Sequence, residues 1–127
     1  MNTQNDSRLA TYFPLAGAQG VTRPSAQAYD RRWRVVDAAR RPIDTAHDAL
    51  ADISVDIKFG YLVLRATGML RLDIPLEVEE DDPSVLETLL LDGAPVCVAD
   101  EGAWASAWVS QVLGKPARLV KVCDPPV

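Results

Sequence analysis

Apolar and polar side chains alternate strictly through the middle of the chain. An apolar residue at every second position is typical of a β-strand with one side facing a core and the other side facing water. Pairs of turn residues, Gly60-Tyr61 and Thr67-Gly68, divide the alternation into three runs. The apolar positions of these runs are Ile53, Val55, Ile57 and Phe59, then Leu62 and Leu64, then Leu70, Leu72, Ile74, Leu76 and Val78. The pattern predicts a three-stranded antiparallel meander with one solvated face.

Five further strands are predicted around this meander. Residues 9–13 favour a short first strand, and residues 29–37 open on a polar pair and lead into a strand that ends at Asp37. Residues 85–91 suit either a helix face or a strand, but the following Asp92-Gly93 pair is a strong hairpin signal and favours the strand. Residues 95–98 then form the second arm of the hairpin, and residues 118–123 form the last strand.

One helix is predicted between the hairpin and the last strand. Asp100 is a suitable cap, and Glu101 would lie in the first turn, where the helix dipole favours an anion. An apolar stripe at helical spacing is expected to pack on the sheet and to place both of its tryptophans in the core; it comprises Trp104, Ala107, Trp108 and Val112. Gly114 and Pro116 end the helix.

Many short strands and one late helix are typical of a mainly β fold with minor α content. We expect an antiparallel or mixed β-barrel, closed or nearly closed, with the helix packed over one opening. The chain of 127 residues predicts a single domain over residues 9–123, with a flexible N-terminus at residues 1–8 and a tail at residues 124–127.

Charge and composition exclude several classes of partner. The net charge of −5 and the pI near 4.7 argue against nucleic-acid binding and against anionic membranes. The sequence contains neither a signal peptide nor an apolar run of membrane-spanning length, so a cytoplasmic location is expected. Cys97 and Cys123 form no metal-binding or redox motif. A disulfide between them is possible, but two reduced core thiols are favoured.

Residues 29–37 hold the main candidate site. Alternation along a strand places Trp33 and Val35 on one face and Arg32, Arg34 and Val36 on the other. The aromatic side chain would anchor the core, and the guanidinium groups could hold an anion. The candidate anion site comprises Arg31, Arg32, Gly17 and Gly20, the glycines offering backbone N–H groups. The alternative is that one arginine pairs with Asp30 or Asp37 and that the others lie over the barrel wall.

Other residues carry weaker functional hypotheses. His47 is the only histidine, and no second ligand at suitable spacing supports a metal site or a general base. Residues 79–82 are acidic but lack the alternating ligands and the glycine of a calcium loop, which favours a solvated charge run. Ser106 and Ser110 have no histidine near them in any nucleophile motif.

Three stretches together resemble the N-terminal β-barrel domain that precedes MOSC domains in molybdenum-cofactor sulfurase-related and amidoxime-reducing proteins. The first is Tyr-Asp-Arg-Arg-Trp at residues 29–33, and the second is Phe-Pro-Leu at residues 13–15 with the loop that ends at Gly20. The third runs from Asp100-Glu101 through Trp-Val-Ser at residues 108–110 and Leu113-Gly114 to Arg-Leu-Val at residues 118–120. The positions of the family's cofactor-binding Lys-Ser pair hold Ala16 and Gly17.

The resemblance implies a stand-alone barrel without the following MOSC domain. We therefore expect a non-catalytic binding or interaction module, with no bound cofactor and no catalytic residues. The alternative that the resemblance leaves open is an accessory subunit. Such a subunit would dock on a separate MOSC-domain chain and help to hold a molybdenum cofactor or an anionic substrate, with Arg31 and Arg32 supplying the grip.

Overall fold

The structure is a computed structural model, and it describes residues 10–43, 48–76 and 86–123. Within these residues the fold is mainly β with one α-helix, which confirms the predicted fold class. Its elements are a 3₁₀ turn at Pro24–Tyr29, β1 at Trp33–Asp37, a 3₁₀ turn at Asp48–Asp52, β2 at Ser54–Lys58, β3 at Tyr61–Arg65, β4 at Leu72–Pro75, β5 at Leu86–Leu91, β6 at Ala94–Asp100, α1 at Ala103–Leu113 and β7 at Ala117–Val122.

The predicted meander is confirmed as the antiparallel sheet β2-β3-β4. Its first turn lies one residue earlier than predicted, because Phe59 and Gly60 both adopt positive φ, at 51° and 83°. This geometry is that of a two-residue hairpin turn matched to the twist of its strands. Phe59 therefore leaves the buried alternation and is 95% exposed. Leu70 precedes β4 and is also exposed, so its predicted place on the core face was wrong.

The second sheet has the strand order β1-β7-β6-β5 and is antiparallel throughout. The predicted hairpin is confirmed: Asp92 and Gly93 join β5 to β6 with φ of 54° and 86°. The last predicted strand is β7, which pairs with β1 in the register that sets Trp33 opposite Lys121. The described strands pair as two separate sheets and close no barrel, which corrects the expected closure.

The two sheets and α1 share the main hydrophobic core. Trp33, Val35 and Leu119 contribute one face of the four-stranded sheet, and Leu62 and Leu64 contribute the inner face of the meander. On the opposite face of the four-stranded sheet, five residues from all four strands form a second, smaller cluster: Val36, Leu89, Leu91, Val98 and Val120. The alternation along β1 thus divides the cores as predicted, because Trp33 and Val36 lie on opposite faces.

The helix begins later and is rotated relative to the prediction. Its N-cap residue is Gly102, and Asp100 ends β6 while its Oδ1 accepts the Gly102 N–H at 2.7 Å. The buried face follows Ala105, Val109 and Leu113, which also have helical spacing. Trp104 consequently points to solvent, so its predicted core position was wrong. The C-terminus is as predicted: Gly114 is left-handed and its N–H donates to the Ser110 carbonyl.

The two cysteines form a disulfide, so the prediction of reduced core thiols was wrong. The Cys123 N–H donates to the Cys97 carbonyl at 3.0 Å, which continues the β6-β7 ladder by one residue. This pairing brings the two Cα atoms to 5.5 Å, within the range that a disulfide bridges. Cys97 is exposed rather than buried. The disulfide therefore joins β6 to the end of β7 at the surface.

Several predictions concern residues outside the described part of the chain. These are the flexible N-terminus, His47, the acidic run at residues 79–82 and the tail at residues 124–127. The predicted first strand is present only as an isolated bridge between Tyr12 and Val21. The segment that follows is a 3₁₀ turn, because Pro24 at its start supplies the fixed φ of a helical first turn.

Candidate functional site

Trp33 is the anchor of the region that the sequence singled out. It is fully buried at the start of β1, and its indole N–H donates to Glu101 Oε2 at 2.6 Å. Lys121, its cross-strand neighbour, places Nζ 5.5 Å from the ring centroid and donates to the Leu76 carbonyl at 2.6 Å. Tyr29 stacks on the Trp33 ring, with 5.9 Å between the ring centroids. A buried indole needs such an acceptor, so these polar contacts serve the core.

The side chains of the three neighbouring arginines lie in three different environments. Arg34 is 8% exposed and donates from Nη1 and Nη2 to the two carboxylate oxygens of Asp92, each at 3.2 Å. Arg32 donates from Nε to the Val122 carbonyl at 3.2 Å. Arg31 is exposed and has a φ of 58° in the turn before β1. Arg34 and Arg32 thus join β1 to the hairpin and to β7.

Two of the four predicted anion-site residues lie together. Arg31 and Gly17 line one surface cleft of about 250 Å³, with Phe13 beside them. Gly17 has a φ of 91°, and the turn that it completes is closed by a backbone hydrogen bond. Gly20 instead packs against Thr11, whose side chain an added Cβ would overlap. The structure therefore places Arg31 near Gly17. Arg32 instead contacts β7, and Gly20 packs against Thr11.

This cleft does not fit the phosphate of a molybdopterin cofactor. A phosphate carries about two negative charges and is held in proteins by several charged or N–H donors. The cleft has one guanidinium group among its described lining residues. Ala16, at the position of the family's lysine, is apolar and buried. We assign no chemistry through that cofactor to these residues.

The shifted carboxyl groups in the described segments are all held ionised. The pKa of Asp92 lies below its ordinary value because Arg34 donates hydrogen bonds to its carboxylate. The positive charges of Arg34 and Arg31 lower this pKa further. Burial acts to raise the pKa of Asp56, but the hydrogen bonds and charge of Arg23 bring it below its ordinary value. A general acid needs a raised pKa instead. These carboxylates are typical of structural ion pairs.

An apolar groove lies on the exposed side of α1. It has a volume of about 380 Å³, and its walls come from the helix and from the loop before β4. Trp104 is 77% exposed and Leu70 is 84% exposed, and both line the groove beside Met69. The Trp108 indole N–H donates to the Leu70 carbonyl at 2.7 Å, which fixes this loop against the helix. The sequence indicated the tryptophans but assigned Trp104 to the core.

No three His, Cys, Asp or Glu side chains in the described segments are grouped so as to hold a metal ion. No helix there is long and apolar enough to cross a membrane.

The fold and its surfaces define a small, mainly β domain with one helix and an exposed apolar groove. No family model matches the chain. A similar solved structure is the solution structure of a protein from Bordetella bronchiseptica, with a TM-score of 0.75 and 43% sequence identity. The match covers 97% of this chain and 91% of the Bordetella chain. The chain belongs to the family of that Bordetella protein.

More distant similarity connects the chain to molybdenum cofactor sulfurases. It is 26% identical to the Homo sapiens protein over 114 residues and 27% identical to the Bos taurus protein over 112 residues. These matches cover 87% and 86% of this chain but only 12% of each sulfurase. This distant similarity agrees with the resemblance to the domain that precedes MOSC domains.

Proposed function

We propose that this chain is a MOSC N-terminal-like β domain that acts as a non-catalytic binding module. We further propose that it docks a MOSC-type domain in the groove beside Trp104. The observation that carries the proposal is the exposure of Trp104 and Leu70 side by side on a folded surface. Large exposed apolar patches on soluble domains mark interaction sites, and tryptophan is strongly enriched among the residues that dominate binding energy.

The groove is also preorganised for a partner. The bond from the Trp108 indole to the Leu70 carbonyl holds one wall in place before any partner arrives. The Trp108 side chain itself is buried in the core, so the helix cannot shift without cost. Ordering this wall in advance lowers the entropy cost of association. A partner would therefore gain most of the apolar burial of Trp104 without having to reorganise the domain.

The sulfurase similarity supports a protein domain as the occupant. In the human and bovine sulfurases the matching segment is 12% of a much longer chain, so a domain like this one has neighbouring domains there. An apolar face that is exposed on the isolated domain would be covered by such a neighbour. MOSC-type domains are the neighbours that the sequence resemblance implies, and we take one as the partner.

Affinity capture from the cells of origin tests the proposal with three tagged chains: wild type, Trp104→Ala and Phe59→Ala. Phe59 is the matched control, because it is an exposed aromatic residue in the β2-β3 turn, outside the groove. We expect mass spectrometry to identify a MOSC-domain chain with the wild type and Phe59→Ala. Trp104→Ala should bind about 30-fold more weakly, which corresponds to a hot spot of about 2 kcal/mol. Equal capture by all three chains, or capture of no MOSC-domain chain, would contradict the proposal.

The same capture experiment, with an Arg31 variant added, tests the accessory role in cofactor binding. That role predicts that molybdenum copurifies and that its amount falls when Arg31 is replaced. Arg31→Asn is the suitable variant, since asparagine tolerates the φ of 58° at this position. Arg32→Ala would instead remove a contact between β1 and β7. We expect no dependence of molybdenum content on Arg31, because the cleft holds a single described arginine.

A further inference from the structure

A polar pocket lies on the other side of α1, against the turn that follows β1. Its volume is about 480 Å³, which is within the range of small-molecule sites. Two arginines and two serines supply polar groups, and small apolar side chains supply the floor: Arg40, Arg118, Ser106 and Ser110, with Ala103, Ala107 and Ala117. The sequence did not single out these residues as a group. They come from three separate segments that only the fold brings together.

Two donors of residues that line this pocket have no acceptor among the described residues. Ser106 is 6% exposed, and its Oγ is buried without a hydrogen-bond partner in that part of the chain. Arg40 Nη1 is likewise buried without a partner there. Buried polar groups in folded proteins almost always have a partner, because an unmade hydrogen bond leaves the cost of desolvation uncompensated. A pocket that combines two such donors is suited to an acceptor that comes from outside the chain.

Both guanidinium groups are held in place through Nε. Arg40 Nε lies 3.4 Å from Glu87 Oε2, and Arg118 Nε lies 2.5 Å from Asp100 Oδ2. Burial acts to raise the pKa of Asp100, but the hydrogen bonds it accepts and the charges of Arg118 and Arg40 hold that pKa below its ordinary value. A guanidinium has five N–H donors. Anchoring through Nε orients each arginine in advance.

We propose that this pocket binds a small carboxylate that carries a short apolar body. Both donor atoms are buried just beneath the pocket wall, so the wall would open by a small side-chain movement. One carboxylate oxygen would then accept from Arg40 Nη1 and the other from the Ser106 hydroxyl. The apolar body would lie on the alanine floor. Glu87 and Asp100 already offset the two guanidinium charges, so the site suits one additional negative charge better than the two of a phosphate. This ligand site is distinct from the Trp104 groove and does not rest on the docking proposed there.

Backbone amide NMR tests the site with three probes: butyrate, its neutral analogue butyramide, and inorganic phosphate. Butyrate should shift the amides of residues 38–40, 103–110 and 117–118 in a saturable manner, with a dissociation constant of about 1 mM, the scale that a ligand of this size can reach. Butyramide and phosphate should each bind at least about fivefold more weakly. Phosphate binding as tight as butyrate would overturn the carboxylate assignment, and the absence of saturable shifts at these residues would overturn the site.

Two variants assign the donors. Ser106→Ala removes the hydroxyl that has no partner, so the fold should tolerate it, and butyrate should bind about three- to tenfold more weakly. Arg40→Asn removes the guanidinium at a position whose φ of 67° asparagine tolerates, and it should weaken butyrate binding at least tenfold. Ser25→Ala and Arg71→Asn change exposed residues outside the pocket and should bind as the wild type does. If both pocket variants bind butyrate as tightly as the wild type does, the proposal is overturned. Ordered water that already satisfies these donors would give this result.

Discussion

The two faces of the four-stranded sheet are stabilised in different ways. The face that carries Trp33 and Leu119 packs against α1 and the meander through a continuous apolar core. The opposite face, which we call the hairpin face, has only a small apolar cluster around Val98 and Val120. There, ion pairs do much of the work of joining strands: Arg34 with Asp92, Arg118 with Asp100 and Arg40 with Glu87.

This difference predicts different responses to solution conditions. Apolar burial contributes roughly 25 cal/mol per Å² and depends little on pH or on redox state. Ion pairs depend on the protonation of their carboxylates. Acid should therefore loosen the hairpin face and leave the Trp33 face in place. The stability of the Trp33 face is thus nearly independent of pH, and the stability of the hairpin face depends on pH.

The largest effect is expected from Trp33→Ala. The substitution empties a fully buried site at the centre of the main core and removes the indole that donates to Glu101. It should lower the free energy of unfolding by about 3–5 kcal/mol. Urea denaturation followed by circular dichroism measures this loss. A loss below that of any hairpin-face variant would contradict the account of the main core.

Opening the disulfide should have the next largest effect. The bond closes a loop of 26 residues in sequence separation, so its removal should cost about 2–4 kcal/mol, chiefly by releasing the unfolded chain. The double variant Cys97→Ser with Cys123→Ser, or reduction of the wild type, tests this by denaturation. Amide exchange should accelerate in β6 and β7, which the bond joins, and stay unchanged in β2, β3 and β4. Uniform acceleration in both sheets would show that the disulfide stabilises the whole domain rather than this strand pair.

A smaller, pH-dependent effect is expected at Asp100. Its folded-state pKa lies below the ordinary value of about 3.9, so the folded state binds fewer protons than the unfolded state in acid. The stabilisation is present in full above the unfolded-state pKa and is lost as the pH falls through the folded-state pKa. Asp100→Asn should cost about 1–2 kcal/mol at neutral pH, between the values for exposed and buried pairs.

Unfolding measurements from neutral pH down into strong acid check the Asp100 prediction. The wild type and Asp100→Asn should converge in stability as the pH falls below the ordinary pKa of an aspartate, about 3.9. Asp73→Asn is the control, because Asp73 pairs with Arg71 in a more exposed position on the meander. A difference between wild type and Asp100→Asn that stays constant into strong acid would contradict the assignment to ionisation.

The smallest effect on stability is expected from Trp104→Ala. Trp104 is an exposed residue on a helix whose buried face follows Ala105 and Val109. Alanine also has a higher helix propensity than tryptophan. The free energy of unfolding should change by no more than about 0.5 kcal/mol. A loss of several kcal/mol would mean that Trp104 belongs to the core, as its sequence spacing first indicated.

The sequence predicts those parts of the fold that depend on neighbouring residues. The meander follows from alternation, and the β5-β6 hairpin follows from Asp92-Gly93, because both signals act within a few residues. The face of α1 was predicted only in part: Trp108 is buried as expected, but Trp104 is exposed, and Ala105, Val109 and Leu113 complete the buried face. Helical spacing alone does not decide between these positions, because packing against the sheets sets the rotation of the helix.

The candidate sites follow the same rule. Arg31 and Gly17, which the sequence analysis grouped together as anion donors, line one cleft because the loop of Gly17 and the turn of Arg31 both flank the start of β1. The disulfide was missed, since it depends on how β6 and β7 pair, and nothing in the spacing of the cysteines reports that pairing. The pocket of Arg40, Ser106 and Arg118 was missed for the same reason. Its residues are adjacent only in the folded chain.

The central claim is that Trp104 serves binding rather than folding. Titration calorimetry of the purified chain with a purified MOSC-domain partner from the same cells tests it directly, with wild type and Trp104→Ala compared at equal folded fraction. The account predicts an affinity about 30-fold lower for Trp104→Ala. Equal affinities of the two chains, or the absence of binding by the wild type, would contradict it.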